Sequence, residues 1–204
     1  MVVFKKILPL FSYIFHPLFT AFFATAFYFS ITSKFYVWQE IFLYSIQVVL
    51  LTLLLPLSIF FLLLSTGKID SIMVENKSQR KTPLILNASL LLILILKSIT
   101  YDKVPELFFF FLGGIISSLL ALLFLYFDKK ISIHLIGISA LTCFIIGISL
   151  AFEVDLLYTI SFFIVTIGLV ASSRLVMNAH NYTEIVLGFL AGSIPQIILF
   201  YFWL

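Results

Sequence analysis

Leu107-Phe108-Phe109-Phe110-Phe111-Leu112-Gly113-Gly114-Ile115-Ile116-Ser117-Ser118-Leu119-Leu120-Ala121-Leu122-Leu123-Phe124-Leu125-Tyr126-Phe127 contains no charged side chain. About 20 consecutive apolar residues wound as a helix cross the roughly 30 Å hydrocarbon core of a bilayer. Lipid offers no partner to a backbone N–H or C=O, so an apolar crossing segment of this kind folds as a helix. Similar runs recur along the chain, and the spans expected are 10–32, 41–65, 84–100, 107–127, 135–152, 156–172 and 184–203. The run 84–100 is short and carries Lys97 near its end, where the side chain can snorkel, so six spans are the alternative to seven. Composition agrees: 63% of residues are hydrophobic and 10% charged, with a mean hydropathy of +1.23. The fold class expected is all-α, a polytopic transmembrane helical bundle. No hydrophilic stretch is long enough for a separate soluble domain, so residues 1–204 read as one transmembrane domain.

The connections 66–83, 128–134 and 173–183 are polar, whereas 33–40, 101–106 and 153–155 are short turns. Seven spans put all three polar connections and the N-terminus on one face. Nine of the 12 basic residues then share that face: Lys5, Lys6, Lys68, Lys77, Arg80, Lys81, Lys129, Lys130 and Arg174. The positive-inside rule assigns it to the cytoplasm. Lys5 and Lys6 before an apolar run, with Ala24-Thr25-Ala26 after it, imitate a signal peptide. The run continues through Phe27–Ile31, and an uncleaved first span is expected. Cys143 is the single cysteine, which excludes an intrachain disulfide and a multi-thiolate metal site. The net charge of +3 is small, and no nucleic-acid partner is expected.

Against this apolar background stands Ser173-Arg174-Leu175-Val176-Met177-Asn178-Ala179-His180-Asn181-Tyr182-Thr183-Glu184. Charge beside a bilayer core is costly, and such a cluster is a functional-site candidate by default. His180 and Glu184 are one helical turn apart, where a carboxylate can fix the imidazole tautomer and make the other ring nitrogen a better base or nucleophile. The other two polar connections add Lys77, Arg80 and Lys81, then Lys129, Lys130, Ser132 and His134. Arg and Lys answer the charge of a phosphoester. One His can attack phosphorus and another can protonate the leaving oxygen. The inventory fits metal-independent phosphoryl transfer.

Ser173-Arg174-x5-His180-x3-Glu184 resembles the third signature of the type 2 phosphatidic acid phosphatase superfamily, Ser-Arg-x5-His-x3-Asp, with Glu in place of Asp. Ile131-Ser132-Ile133-His134 is similar to the second signature, Pro-Ser-Gly-His, and keeps its Ser and His. The first, Lys-x6-Arg-Pro, is represented by Arg80 with Pro83 three residues later. His16-Pro17, Arg80-x2-Pro83, Lys130-Ile131-Ser132-x-His134 and Ala179-His180 also look like a divergent bacterial branch of that superfamily. The resemblance covers about 68–192, and the hydrophobic hairpin 84–127 departs from it. It implies that His180 is the nucleophile, forming a phosphohistidine and oriented by Glu184. It implies that His134 is the general acid, then the base for water. Arg174, Arg80 and Lys77 would hold phosphate oxygens, with Ser132 donating a hydrogen bond. No metal and no cofactor are implied. The substrate would be a lipid phosphate monoester or diphosphate, and the location a bacterial inner (cytoplasmic) membrane; the basic bias places the N-terminus and site loops in the cytoplasm.

Two other readings remain. The departures in the first two signatures suit a catalytically inactive relative that binds or transports an anionic lipid. His16, His134, His180 and Glu184 are the donors a membrane metalloenzyme would use, although no two His have a ligand spacing such as i, i+4. His16 also reads as a helix-end residue before Pro17. Gly188-x-x-x-Gly192 marks close helix–helix packing, within the chain or between subunits of a homo-oligomer. Pro56 and Pro195 are expected to kink helices, and Gln47 and Gln196 to hydrogen-bond across the bundle. The sequon Asn181-Tyr182-Thr183 reads as chance.

Overall fold

The computed structural model describes residues 2–69 and 79–204, with side chains from residue 7 onward. The described residues form α1 (Val2–Ile14), α2 (Pro17–Thr32), α3 (Trp38–Val49), α4 (Leu55–Ser65), α5 (Lys81–Lys97), α6 (Pro105–Tyr126), α7 (Ile133–Ala151), α8 (Leu157–Val176) and α9 (Tyr182–Phe200). The fold is an all-α bundle, as the apolar runs require. Among the described residues, six helical segments are long and apolar enough to cross a membrane: Pro17–Phe35, Trp38–Ser65, Pro105–Tyr126, Ile133–Ala151, Leu157–Val176 and Tyr182–Phe200. The seventh expected span is α5, whose 17 residues extend about 25 Å. It falls short of the length of the other six, in line with the six-span alternative, and packs as one arm of an antiparallel hairpin with α6. The Arg80 guanidinium at its start donates to the Ile131 carbonyl, and Asn87 Nδ2 donates to Ser118 Oγ at 3.0 Å.

The first span differs from the expected 10–32. The chain breaks at His16, whose backbone is extended (φ −66°, ψ 140°). Proline lacks an N–H and forces the preceding residue out of the α region, so Pro17 ends α1 and starts α2. Residues up to Ile14 therefore belong to a separate helix, α1, which packs along α8. Pro56 acts less abruptly. The turn before it, Leu50–Leu54, widens to a π-helix, so α3 and α4 remain one continuous rod.

Helix α7 is the centre, with 67% of its span buried and neighbours α2, α6, α8 and α9. Phe144, Ile145 and Ile148 of α7 meet Tyr28, Leu94, Leu107, Phe110 and Phe111 in the main core. Small residues permit the close crossings. The Gly188/Gly192 face is used inside the chain, against α7. A methyl group on Gly192 would come within 2.8 Å of Ile136 Cα and closer still to the Ile136 carbonyl and Ser139 hydroxyl. Gly192→Ala is expected to destabilise the bundle by about 1–3 kcal/mol, because backbone must move. Thermal unfolding in detergent checks this, and an unchanged melting temperature would refute it. Gln196 does reach across the bundle, donating to the Phe110 carbonyl at 3.0 Å. The Gln47 carbonyl oxygen has no hydrogen-bond partner among the described residues.

Candidate functional site

The polar connections meet at one end of the bundle. Arg80 binds the Ile131 carbonyl at 3.2 Å, and Lys130 Nζ donates to the Ala179 carbonyl at 2.9 Å. Ser132 N–H donates to the Glu184 carbonyl at 3.1 Å. The end of α1 joins them, with Ser12 Oγ 2.6 Å from Ser173 Oγ. At the opposite end, Tyr28 donates to Glu106 Oε2 at 2.8 Å and lies 2.8 Å from the Tyr36 hydroxyl.

Local chemistry delivers His180 to this junction. Helix α8 closes with Asn178 N–H on the Leu175 carbonyl and Ala179 N–H on the Arg174 carbonyl, while Asn178 adopts a left-handed φ of 53°. This is a Schellman-type stop, and Asn tolerates that conformation better than most residues. Three residues later Asn181 caps α9, its side chain accepting from Glu184 N–H at 2.9 Å. Asn181 thus has a structural role that its reading as a chance sequon missed, although Asn-x-x-Glu before an apolar run is a helix-start signal. His180 sits between stop and start, with Nδ1 2.6 Å from Glu184 Oε2. Lys130 Nζ lies 3.9 Å from the same oxygen.

Beneath this junction a cavity of about 180 Å³ extends into the bundle. His16, Arg80, His134, Arg174 and His180 line its polar end. Its walls are mostly apolar, formed by Pro56 and Phe60 of α4, Leu84 and Leu91 of α5, and Phe110 and Phe111 of α6, with Thr52, Asn87, Ser118 and Gln196 among them. Arg174, on the last turn of α8, is 1% exposed. Buried cations above a hydrocarbon-lined slot suit an amphiphile with an anionic head.

Each of the three imidazoles has one nitrogen held by the protein. A carboxylate only accepts, so His180 Nδ1 carries the proton and Nε2 carries the lone pair. His134 Nε2 lies 3.1 Å from the Ser12 carbonyl, so it is the donor and Nδ1 is the lone-pair nitrogen. His16 Nδ1 accepts from Leu18 N–H at 3.3 Å, which leaves the proton on Nε2. Burial, reinforced by the positive charges of Arg80, Arg174 and Lys130, pushes the His180 imidazole down to about 3. Burial and Arg174 push His16 down to about 4. Both rings are therefore neutral at physiological pH.

These shifts have a sign for stability. The unfolded chain takes up protons at both positions near pH 6.5 and the fold does not, so stability falls as pH drops from about 6.5 toward 4. Each pH unit in that window removes on the order of 1 kcal/mol per imidazole. Thermal unfolding of the detergent-solubilised protein between pH 7 and 5 is expected to show the decline, weakened in His180→Asn. A melting temperature that is flat over this range would contradict it.

The structure therefore brings His180, His134, Arg174 and Arg80 to one cavity, with Glu184 behind His180. Ser132 is fully buried and packs against Gly188 of α9. Its Cβ would stand 3.2 Å from a methyl on Gly188, and its hydroxyl has no hydrogen-bond partner among the described residues. Lys77 lies outside the described residues. The site also reaches beyond 68–192, because Ser12 and His16 supply part of it. Of these, only His16 carried a sequence signal, its position before Pro17. Among the described residues, no group of three or more His, Cys, Asp or Glu side chains is placed to hold a metal ion. No family model matches the chain, and no curated protein or solved structure is significantly similar to it.

Proposed function

We propose that this multi-pass membrane protein is a lipid phosphatase that acts through a phosphohistidine at His180. The observation that carries the reading is the 2.6 Å His180–Glu184 contact at the cationic mouth of an apolar cavity. Arg80 and Arg174 bind the phosphate oxygens, and the slot takes the lipid's hydrocarbon. The neutral His180 Nε2 lone pair attacks phosphorus, forming an N–P bond as the P–O bond to the lipid breaks. The leaving oxygen takes a proton from His134 Nδ1, which the substrate or solvent has supplied beforehand. Glu184 offsets the positive charge on the phosphorylated ring. Water then loses a proton to His134 Nδ1 and attacks phosphorus. The N–P electron pair returns to His180, inorganic phosphate leaves, and His134 is again protonated. The resemblance to type 2 phosphatidic acid phosphatases supports the same roles and a bacterial inner membrane, and the basic bias of the polar connections supports a site facing the cytoplasm.

The test is phosphate release by purified, detergent-solubilised protein from phosphatidate, phosphatidylglycerophosphate and polyprenyl phosphates and diphosphates in EDTA. Release from at least one is expected. Release abolished by EDTA and restored by a divalent metal would sink the metal-independent chemistry. No release from any would sink the enzymatic reading in favour of an anionic-lipid binder.

A further inference from the structure

His16 belongs to none of the three phosphatase-like signatures, yet it lines the polar end of the cavity beside Arg174 and His134. Its ring centroid lies 5.1 Å from that of His134, the planes nearly perpendicular at 86°. We propose that His16 is a third histidine of the site, a substrate-contacting residue that donates a hydrogen bond from Nε2 to a phosphate oxygen. The proposal rests on the phosphate-site reading above.

The neutral ring carries one proton, and Nδ1 is occupied as an acceptor by the Leu18 N–H at the start of α2. The helix cap therefore forces the proton onto Nε2, which has no protein partner among the described residues. The other two imidazoles present lone pairs, at His180 Nε2 and His134 Nδ1. A bound phosphate thus meets one nucleophile, one proton carrier and one fixed donor, along with the two arginines. A neutral donor also suits this position. Another full charge would have to be desolvated beside Arg174, whereas an N–H aimed at an anion carries only a dipole. Pro17 makes the arrangement rigid. It sets both the extended backbone of His16 and the first turn of α2, so the ring is held from both sides of the chain break.

The two ring nitrogens can be replaced separately. Asparagine at 16 places an acceptor near Nδ1 and is a good helix cap, but carries nothing at the Nε2 position. Glutamine reaches the Nε2 position with a donor and caps poorly. The probe is orthovanadate, measured by its displacement of bound inorganic phosphate and by protection against thermal unfolding, beside phosphate release from the best lipid. His16→Asn is expected to melt as the parent does yet to bind vanadate at least tenfold more weakly. His16→Gln is expected to melt lower and to retain most of the affinity. His16→Asn binding vanadate as tightly as the parent would overturn the proposal, as would a parent that binds none. A parent that binds vanadate but releases no phosphate, with His16→Asn weakened, would defeat the phosphatase reading and leave His16 as a phosphate ligand. Full phosphate release and full vanadate affinity in His16→Asn would do the reverse.

Discussion

His180→Ala is expected to lower phosphate release by about 10⁴-fold or more, the scale on which removing an enzyme's nucleophile acts. The variant should still fold. Helix α9 keeps its Asn181 cap, and Glu184 keeps Lys130 Nζ 3.9 Å away as a cationic neighbour. It should also still bind the lipid, because Arg80, Arg174 and the apolar slot are untouched. A loss of turnover with affinity preserved therefore separates a nucleophile from a mere ligand. Quenching the parent during turnover in alkaline detergent should leave phosphate on a base-stable, acid-labile nitrogen, and none in the variant. Release that continues in a well-folded His180→Ala protein would remove the phosphohistidine from the mechanism.

The second large effect is at Glu184, and it runs against what the phosphatase signature suggests. That signature has Asp at this position, so Glu184→Asp would be a return to the usual pattern. In this chain the longer side chain already brings Oε2 to 2.6 Å from His180 Nδ1. Shortening it by one methylene withdraws the carboxylate by about 1 Å, a displacement able to cost on the order of a hundredfold in rate. Glu184→Gln should cost more, about 10³–10⁴-fold, because an amide neither enforces the Nδ1–H tautomer nor offsets the charge on the phosphorylated ring. Both variants should melt near the parent, since Glu184 lies on the accessible first turn of α9. The order parent, Asp, Gln in phosphate release checks the geometry. A faster Glu184→Asp would show that the catalytic complex positions this helix differently.

Much of this was legible along the chain. Apolar runs such as 107–127 dictate helices that cross a bilayer, because an unpaired backbone amide in hydrocarbon costs several kcal/mol wherever the neighbouring helices lie. The four-residue spacing of His180 and Glu184 pointed to their contact, but it forms with His180 just outside the helix: Asn181 caps α9, and Glu184 on the first turn meets the ring that precedes the cap. Where sequence logic is local, it needs only the period of a helix and the preferences of its ends. The break at Pro17 belongs to the same class, although the hydropathy of 10–32 hid it, since apolar character continues across the break.

What tertiary structure alone decided is convergence. Ser12 and His134 are 122 positions apart, yet the carbonyl of one sets which nitrogen of the other holds the proton. Likewise, nothing near Gly192 in sequence says that its missing side chain admits Ile136 and Ser139 of α7. Nothing near Ser132 says that it packs against Gly188 of α9. Composition and periodicity determined the helices, their membrane setting and the three polar connections, because those follow from each segment's own contact with lipid or water. Only packing decided which connection ends meet, which tautomers they enforce, and that Ser12 and His16 complete the site. Those outcomes depend on backbone atoms and close approaches between helices, which leave no periodic trace in the chain.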